Sequence, residues 1–258
     1  MAEGPQAPRV LVTGSSFPGA GVAAALLAEG ARVSLLQRDL DYPLPEPLAS
    51  NVSPLVADVW NPASLSGRAR GHHLTIHTVG SMVADPARGL NHHWLNFVSA
   101  RNVANMCVSD GCPRLVLLSC ARAPWINRGY VRAKRAAEDY CLRVGLETLI
   151  IRAPLTWIRG QRRQPIFWLM TLLGSVPPTS WLGFGRSAPL QFDIFARGVA
   201  RIALYPKPGQ QLYWRRDLRR RNSNREARHY MPPPLPEAES EPDEEDVPFG
   251  WLPPASDA

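Results

Sequence analysis

At 258 residues the chain is long enough for one large domain with appendages and a sizeable buried core. Its net charge is +7 and its hydrophobic fraction is ordinary for a globular protein, while no run reaches the roughly 18 apolar residues of a membrane-crossing helix. The opening Met1-Ala2-Glu3-Gly4-Pro5 has neither a basic leader before an apolar run nor an Arg-rich amphipathic presequence, so secretion is not expected.

Taken in order, Arg9 to Thr13 is a short β-branched run that predicts a strand. Val22 to Glu29 has helical composition, Gly30 stops it, and Arg32 to Gln37 predicts a second strand. Val52 to Ala57, ending at Asp58, and Leu74 to Val79, ending at Gly80, predict the third and fourth. Asn91 to Ser109 has a helical period with Trp94, Val98, Val103 and Cys107 on its apolar side. Leu115 to Ser119 predicts a fifth strand, Tyr130 to Val144 a helix, and Thr148 to Ile151 a sixth strand. This alternation, with short loops, implies a doubly wound parallel sheet in an α/β, Rossmann-like domain over residues 9–154. Residues 1–8 are expected to be flexible, and residues 155–213 to form a small substrate-facing or membrane-facing lobe, with Phe192 to Leu204 helical. Residues 214–258 are expected to be a disordered tail, basic and then acidic.

The charge is divided along the chain. Residues 232–258 hold eight of the 22 acids and none of the 29 bases, leaving +15 on the remainder (29 bases against 14 acids). Much of it lies between Arg215 and Arg228. A basic body can bind nucleic acid, anionic lipid or an acidic partner. No aromatic stacking pattern or nucleic-acid fold signature accompanies the cluster, so nucleic acid is not the expected partner. Residues 166–173 with Trp181, Leu182 and Phe184, flanked by Arg159, Arg162, Arg163 and Arg186, read either as a buried helix or as an interfacial membrane element spanning about 165–185.

Cys107, Cys112, Cys120 and Cys141 form no C-x-x-C pair, and free thiols in a reducing compartment fit them best. The histidines are two doublets, His72-His73 and His92-His93, with His77 and His229. His73 and His77 straddle a strand, too far apart to share a metal easily, so no metal site is expected.

Two motifs carry chemistry. Val10-Leu11-Val12-Thr13-Gly14-Ser15-Ser16-Phe17-Pro18-Gly19-Ala20-Gly21 is a strand-to-helix turn of the kind that cradles a pyrophosphate on backbone N–H groups. Its later glycines come five and seven residues after the first, and Phe17 or Pro18 stands where another glycine is usual. Gln37-Arg38-Asp39 closes the second strand, where an acid accepts ribose hydroxyls and an arginine receives a 2′-phosphate. Arg38 favours NADP, Asp39 keeps NAD open, and Asp58 is placed to meet the adenine. Tyr130 and Lys134 lie four apart on one helical face, where an ammonium can stabilise a phenolate.

With these residues in this order the chain resembles the short-chain dehydrogenase/reductase superfamily. Within it the chain resembles the atypical extended-type branch, which holds the reductase-like accessory subunit of mitochondrial complex I and proteins linked to coenzyme Q biosynthesis. The matching stretches are Val10–Gly14, Ala57-Asp58-Val59, Thr78-Val79-Gly80, Asn96 with Asn102-Val103, Leu117-Leu118-Ser119, Gly129–Glu138, Ile151–Pro154 and Ala188–Asp193. The resemblance implies that Thr13, Gly14, Ser15, Gly19, Arg38, Asp58 and Gly80 line a dinucleotide. It implies Tyr130 and Lys134 as a catalytic or ribose-binding pair, with Ser119 as a third catalytic candidate. It further implies an oxidoreductase acting on a lipophilic carbonyl or quinone, or a non-catalytic, nucleotide-stabilised subunit or assembly factor of a membrane complex. The compartment it implies is the mitochondrion, with the cytoplasm as the alternative.

Overall fold

The computed structural model describes residues 7–38, 44–123, 126–158 and 188–222. Asp39, the apolar segment 165–185 with its flanking arginines, and the acidic residues 232–258 lie outside them.

Strand β1 (Arg9–Thr13) turns into helix α1 (Phe17–Ala28), which leads to β2 (Arg32–Gln37). After α2 (Leu48–Asn51) come β3 (Ser53–Val56), α3 (Pro62–Leu65) and β4 (Leu74–His77). A π-helical segment, His93–Val98, runs directly into α4 (Ser99–Asp110), followed by β5 (Arg114–Cys120), α5 (Arg128–Arg143) and β6 (Glu147–Ala153). Then come β7 (Thr156–Trp157), β8 (Leu190–Gln191), α6 (Phe192–Leu204), β9 (Leu212–Tyr213) and α7 (Arg215–Arg220).

The main sheet has seven strands in the order β3-β2-β1-β4-β5-β6-β9, and every pair in it is parallel. This is the doubly wound, Rossmann-like α/β architecture. Side-chain alternation decides the layers. Val10, Val12, Ile76, Val116 and Leu118 point to the face covered by α1 and α6. Leu11, Leu115 and Leu117 point to the face covered by α4 and α5. Strand β1 pairs with β2 on one side and β4 on the other, so the connections leave it in opposite directions. A crevice opens at the carboxyl ends of the strands at such a switch point.

One local boundary is corrected. Helix α1 starts at Phe17 rather than Val22, because extended Ser16 precedes it and Pro18 occupies its first turn, where a missing N–H costs nothing. Within the expected lobe of residues 155–213, α6 buries Phe192, Phe195, Val199 and Ile202 in the main core, and β9 is the seventh strand of the sheet. Beyond it, α7 packs on α6 with Leu218 fully buried.

Candidate functional site

The crevice is built by the β1–α1 turn. Gly14 has φ 93° and donates its N–H to the Leu36 carbonyl at 2.8 Å, which ties the turn to β2. A Cβ on Gly19 would sit 1.8 Å from the Gly14 carbonyl oxygen, so glycine there lets α1 close onto the turn. The resulting cleft, open to solvent, runs from Gly14, Ser15 and Ser16 past Gln37 and Arg38 to Asp58, Val59 and Trp60.

Four of the expected cofactor residues therefore meet: Gly14, Ser15, Arg38 and Asp58. Arg38 is exposed at the rim. Asp58 lines the cleft and also accepts the Trp60 N–H at 2.9 Å, holding the turn after β3. Thr13 is different. Its fully buried hydroxyl pairs with His77 Nδ1 at 2.9 Å and its carbonyl accepts from the Thr78 hydroxyl, so it braces the strands beneath the cleft. Gly19 sits behind the turn.

Sequence reading missed two lining residues. Gln37 is 96% buried (4% exposed), yet its Oε1 has no hydrogen-bond partner. Trp60 closes the far end, with its indole N–H donated to the Trp94 carbonyl at 3.0 Å. The even, inward-pointing register of β2 was the available signal for Gln37; nothing local marked Trp60.

The Tyr-Lys helix approaches along the edge of β4. Val79 lines the cleft, and its carbonyl accepts from Lys134 Nζ at 3.5 Å while the Leu118 carbonyl accepts at 3.2 Å. Gly80 makes this possible: its φ is 149°, and a Cβ there would lie 2.6 Å from Lys134 Nζ and 2.5 Å from Asn96 Oδ1. Asn96, fully buried in the π-helical segment, clamps the same loop by accepting the Ser81 N–H and donating to the Ser81 and His92 carbonyls.

The electrostatics follow from burial. Burial lowers Lys134 to about 8, although Cys120 and Glu138 oppose the change. Burial pushes the Tyr130 phenol up, and Cys120 adds to it. Lys134 Nζ is 6.0 Å from the Tyr130 ring centroid. The phenol is thus held protonated. His77, under the same loop, is held down to about 3 by burial and then by Lys134.

Ser119 is held in a charged network of its own. Its hydroxyl donates to Glu138 Oε1 and accepts from Arg135 Nη1 at 3.1 Å. Glu138 is 2% exposed and is gripped by Arg135 at 2.5 Å and by Arg152 at 2.5 Å, so α5 is pinned to β5 and β6. Tyr130, Lys134 and Glu138 follow one another at four-residue intervals, and that stripe was the sequence signal for the network. Among the described residues no group of three His, Cys, Asp or Glu side chains could hold a metal.

No family model matches the chain, and no curated protein matches it by sequence. Solved structures do resemble it. The Bordetella bronchiseptica enzyme WbmH, in complex with NAD+, is 20% identical over 81% of this chain and 75% of its own, with a TM-score of 0.58. MoeE5, in complex with UDP-glucose and NAD, is 20% identical over 79% of this chain and 74% of its own, TM-score 0.57. A short-chain dehydrogenase/reductase superfamily protein from Agrobacterium tumefaciens with bound NAD is 16% identical over 77% and 74%, TM-score 0.54. At these identities the likeness establishes the fold.

Proposed function

We propose that the chain binds a nicotinamide dinucleotide, with the adenosine half in the Gly14–Trp60 cleft and the nicotinamide half above Gly80, beside Tyr130 and Lys134. The observation that carries this is the continuity of the cleft with the Lys134 loop through Val79. The residues suit such a ligand. Gly14 admits a pyrophosphate against the backbone. The buried, unpartnered Gln37 Oε1 suits a ribose hydroxyl donor. Exposed Arg38 at the rim supports NADP over NAD. The fold neighbours solved with NAD support a nicotinamide dinucleotide as the ligand.

The reaction class proposed is carbonyl reduction, for which the nicotinamide supplies the hydride. Tyr130, kept protonated by burial, gives its proton to the carbonyl oxygen, and the nearby cations, Arg135 and Lys134 at 6.0 Å from the ring centroid, steady the phenolate left behind. A quinone-type substrate and a mitochondrial site, which come from the family resemblance, and a membrane contact through residues 165–185, which comes from their apolar stretch and flanking arginines, belong to the same proposal. One observation favours a second reading, a nucleotide-stabilised binding subunit: the Ser119 hydroxyl is committed to Glu138.

Thermal unfolding with excess NADP or NAD tests binding. A ligand at 100 times its dissociation constant adds about 2.7 kcal/mol, a clear shift in melting temperature. No shift with either removes the proposal. NADPH oxidation with short-chain quinones, lost in Tyr130→Phe, separates the reductase from the subunit.

A further inference from the structure

Helix α7 is firmly seated on α6. Leu218 packs where Gly198 leaves room, since a Cβ on that glycine would fall 2.9 Å from Leu218 Cδ2. The Asn222 side chain donates to the Ile194 and Leu218 carbonyls at 3.0 and 2.8 Å, and the Arg221 carbonyl accepts from Arg201 Nη1 at 2.8 Å. With Leu218 turned inward, Arg216, Arg219 and Arg220 are left exposed. Their spacing of three and four puts them on one helical face.

That face is positive with nothing beside it to balance the charge. Among the described residues no carboxylate pairs with Arg216, Arg219 or Arg220. The acids of the packed elements are already taken. Asp217 accepts the Trp214 N–H at 2.9 Å, Asp193 accepts from the Gln191 amide at 2.8 Å, and Glu29 holds Arg201 at 2.6 Å. Arginines at this spacing repel one another, and a multivalent carboxylate ligand relieves that repulsion through charge-assisted hydrogen bonds.

The chain carries such a ligand. Glu237–Asp246 holds seven acids in ten positions and no base. Only 14 residues separate it from Asn222, the last described residue. That length reaches up to about 45 Å, against roughly 9 Å for the whole of α7. A tether this short supplies the acidic run at an effective concentration on the order of millimolar, which a separate anion must match to compete.

We propose that the arginine face of α7 is a docking surface for the chain's own acidic run, Glu237–Asp246. The contact is electrostatic, closes the face to other anions and does not depend on the dinucleotide.

The test uses the full chain with a spin label on Ser240→Cys. The four native cysteines are buried, so the new thiol takes the label. At low ionic strength the amide NMR signals of residues 215–221 should be attenuated several-fold relative to the reduced label. Salt at 1 M, where the screening length is about 3 Å, should restore them. Two variants of the labelled chain should do the same at low salt. One is Arg216→Glu with Arg219→Glu and Arg220→Glu. The other is Asp243→Asn with Glu244→Gln, Glu245→Gln and Asp246→Asn, which leaves every residue of α6 and α7 in place. Signals that are never attenuated would overturn the proposal, and so would attenuation that survives salt and both variants, which is tethering alone. Three further results would also overturn it: attenuation centred on the exposed arginines Arg9, Arg32 and Arg70, attenuation passed from a labelled chain to a separate isotope-labelled copy, or sedimentation of the full chain with phosphatidylserine vesicles that the triple arginine variant abolishes.

Discussion

Gly80 and Lys134 occupy each other's space: no side chain larger than hydrogen fits at residue 80 while the lysine ammonium bonds the Val79 and Leu118 carbonyls. The close approach delivers the only Tyr-x-x-x-Lys cation of the chain to the loop that borders the cleft. Gly80→Ala should therefore displace Lys134 or Asn96, at an overpacking cost of about 1–3 kcal/mol. Its φ of 149° adds backbone strain for any residue with a Cβ. Calorimetry should show a lower melting temperature together with weaker dinucleotide stabilisation. An unchanged response to NADP would mean that the loop does not face the ligand.

Glu138 holds two arginines that would otherwise face each other across β5 and β6. Replacing it with glutamine leaves Arg135 and Arg152 paired with a neutral amide in a largely buried site. Removing one partner of a buried ion pair costs about 3–5 kcal/mol. Both arginines keep some exposure, 27% and 22%, which places Glu138→Gln near the low end. Denaturant unfolding should reveal the loss even in the absence of nucleotide. Ser119→Ala tests the neighbouring assignment: it should cost about 1 kcal/mol and leave any turnover intact, since its hydroxyl serves Glu138.

What the sequence disclosed, and what it hid, follows from the range of each interaction. Strands β1 and β2 were legible to their ends because a parallel strand buried on both faces reads as a β-branched run. Helix α6 was legible because its apolar period matches one buried face. That Gly14, Arg38 and Asp58 line one cleft was legible because the βαβ order fixes which strand ends meet. The Ser119–Glu138 bond was not legible because its partners lie 19 residues apart and only the fold brings them together. The Thr13–His77 pairing was hidden for the same reason, across 64 residues. Strand β9 was invisible because two residues carry no period.

His77 makes the fold sensitive to acid. In the unfolded chain its imidazole titrates near 6.5, but in the core burial and Lys134 hold it down to about 3. Between those values the unfolded chain binds a proton that the native protein refuses. Stability is thus complete above pH 6.5 and falls as pH drops towards 3, by at most about 1.4 kcal/mol per pH unit. His72, also lowered by burial, acts in the same direction. Urea midpoints should decline from pH 7 to pH 5, and His77→Gln should flatten part of that decline. A parallel decline in the variant would assign the effect elsewhere.

Gly21 meets a different neighbour from the glycines of the cleft. A Cβ there would lie 2.3 Å from the ring of Phe192, which also packs against Phe17 at a centroid distance of 4.0 Å. Its glycine is explained by the seating of α6 against α1, not by a ligand, although it belongs to the same turn-and-helix motif. Gly21→Ala should therefore cost about 1–3 kcal/mol through overpacking. The pair Gly21→Ala with Phe192→Leu should recover part of that cost, because the smaller side chain vacates the contested space. The dinucleotide-dependent melting shift should survive in both variants. If Gly21→Ala abolished that shift while the fold stayed intact, the glycine would belong to the ligand cradle and the division of labour within the turn would have to be redrawn.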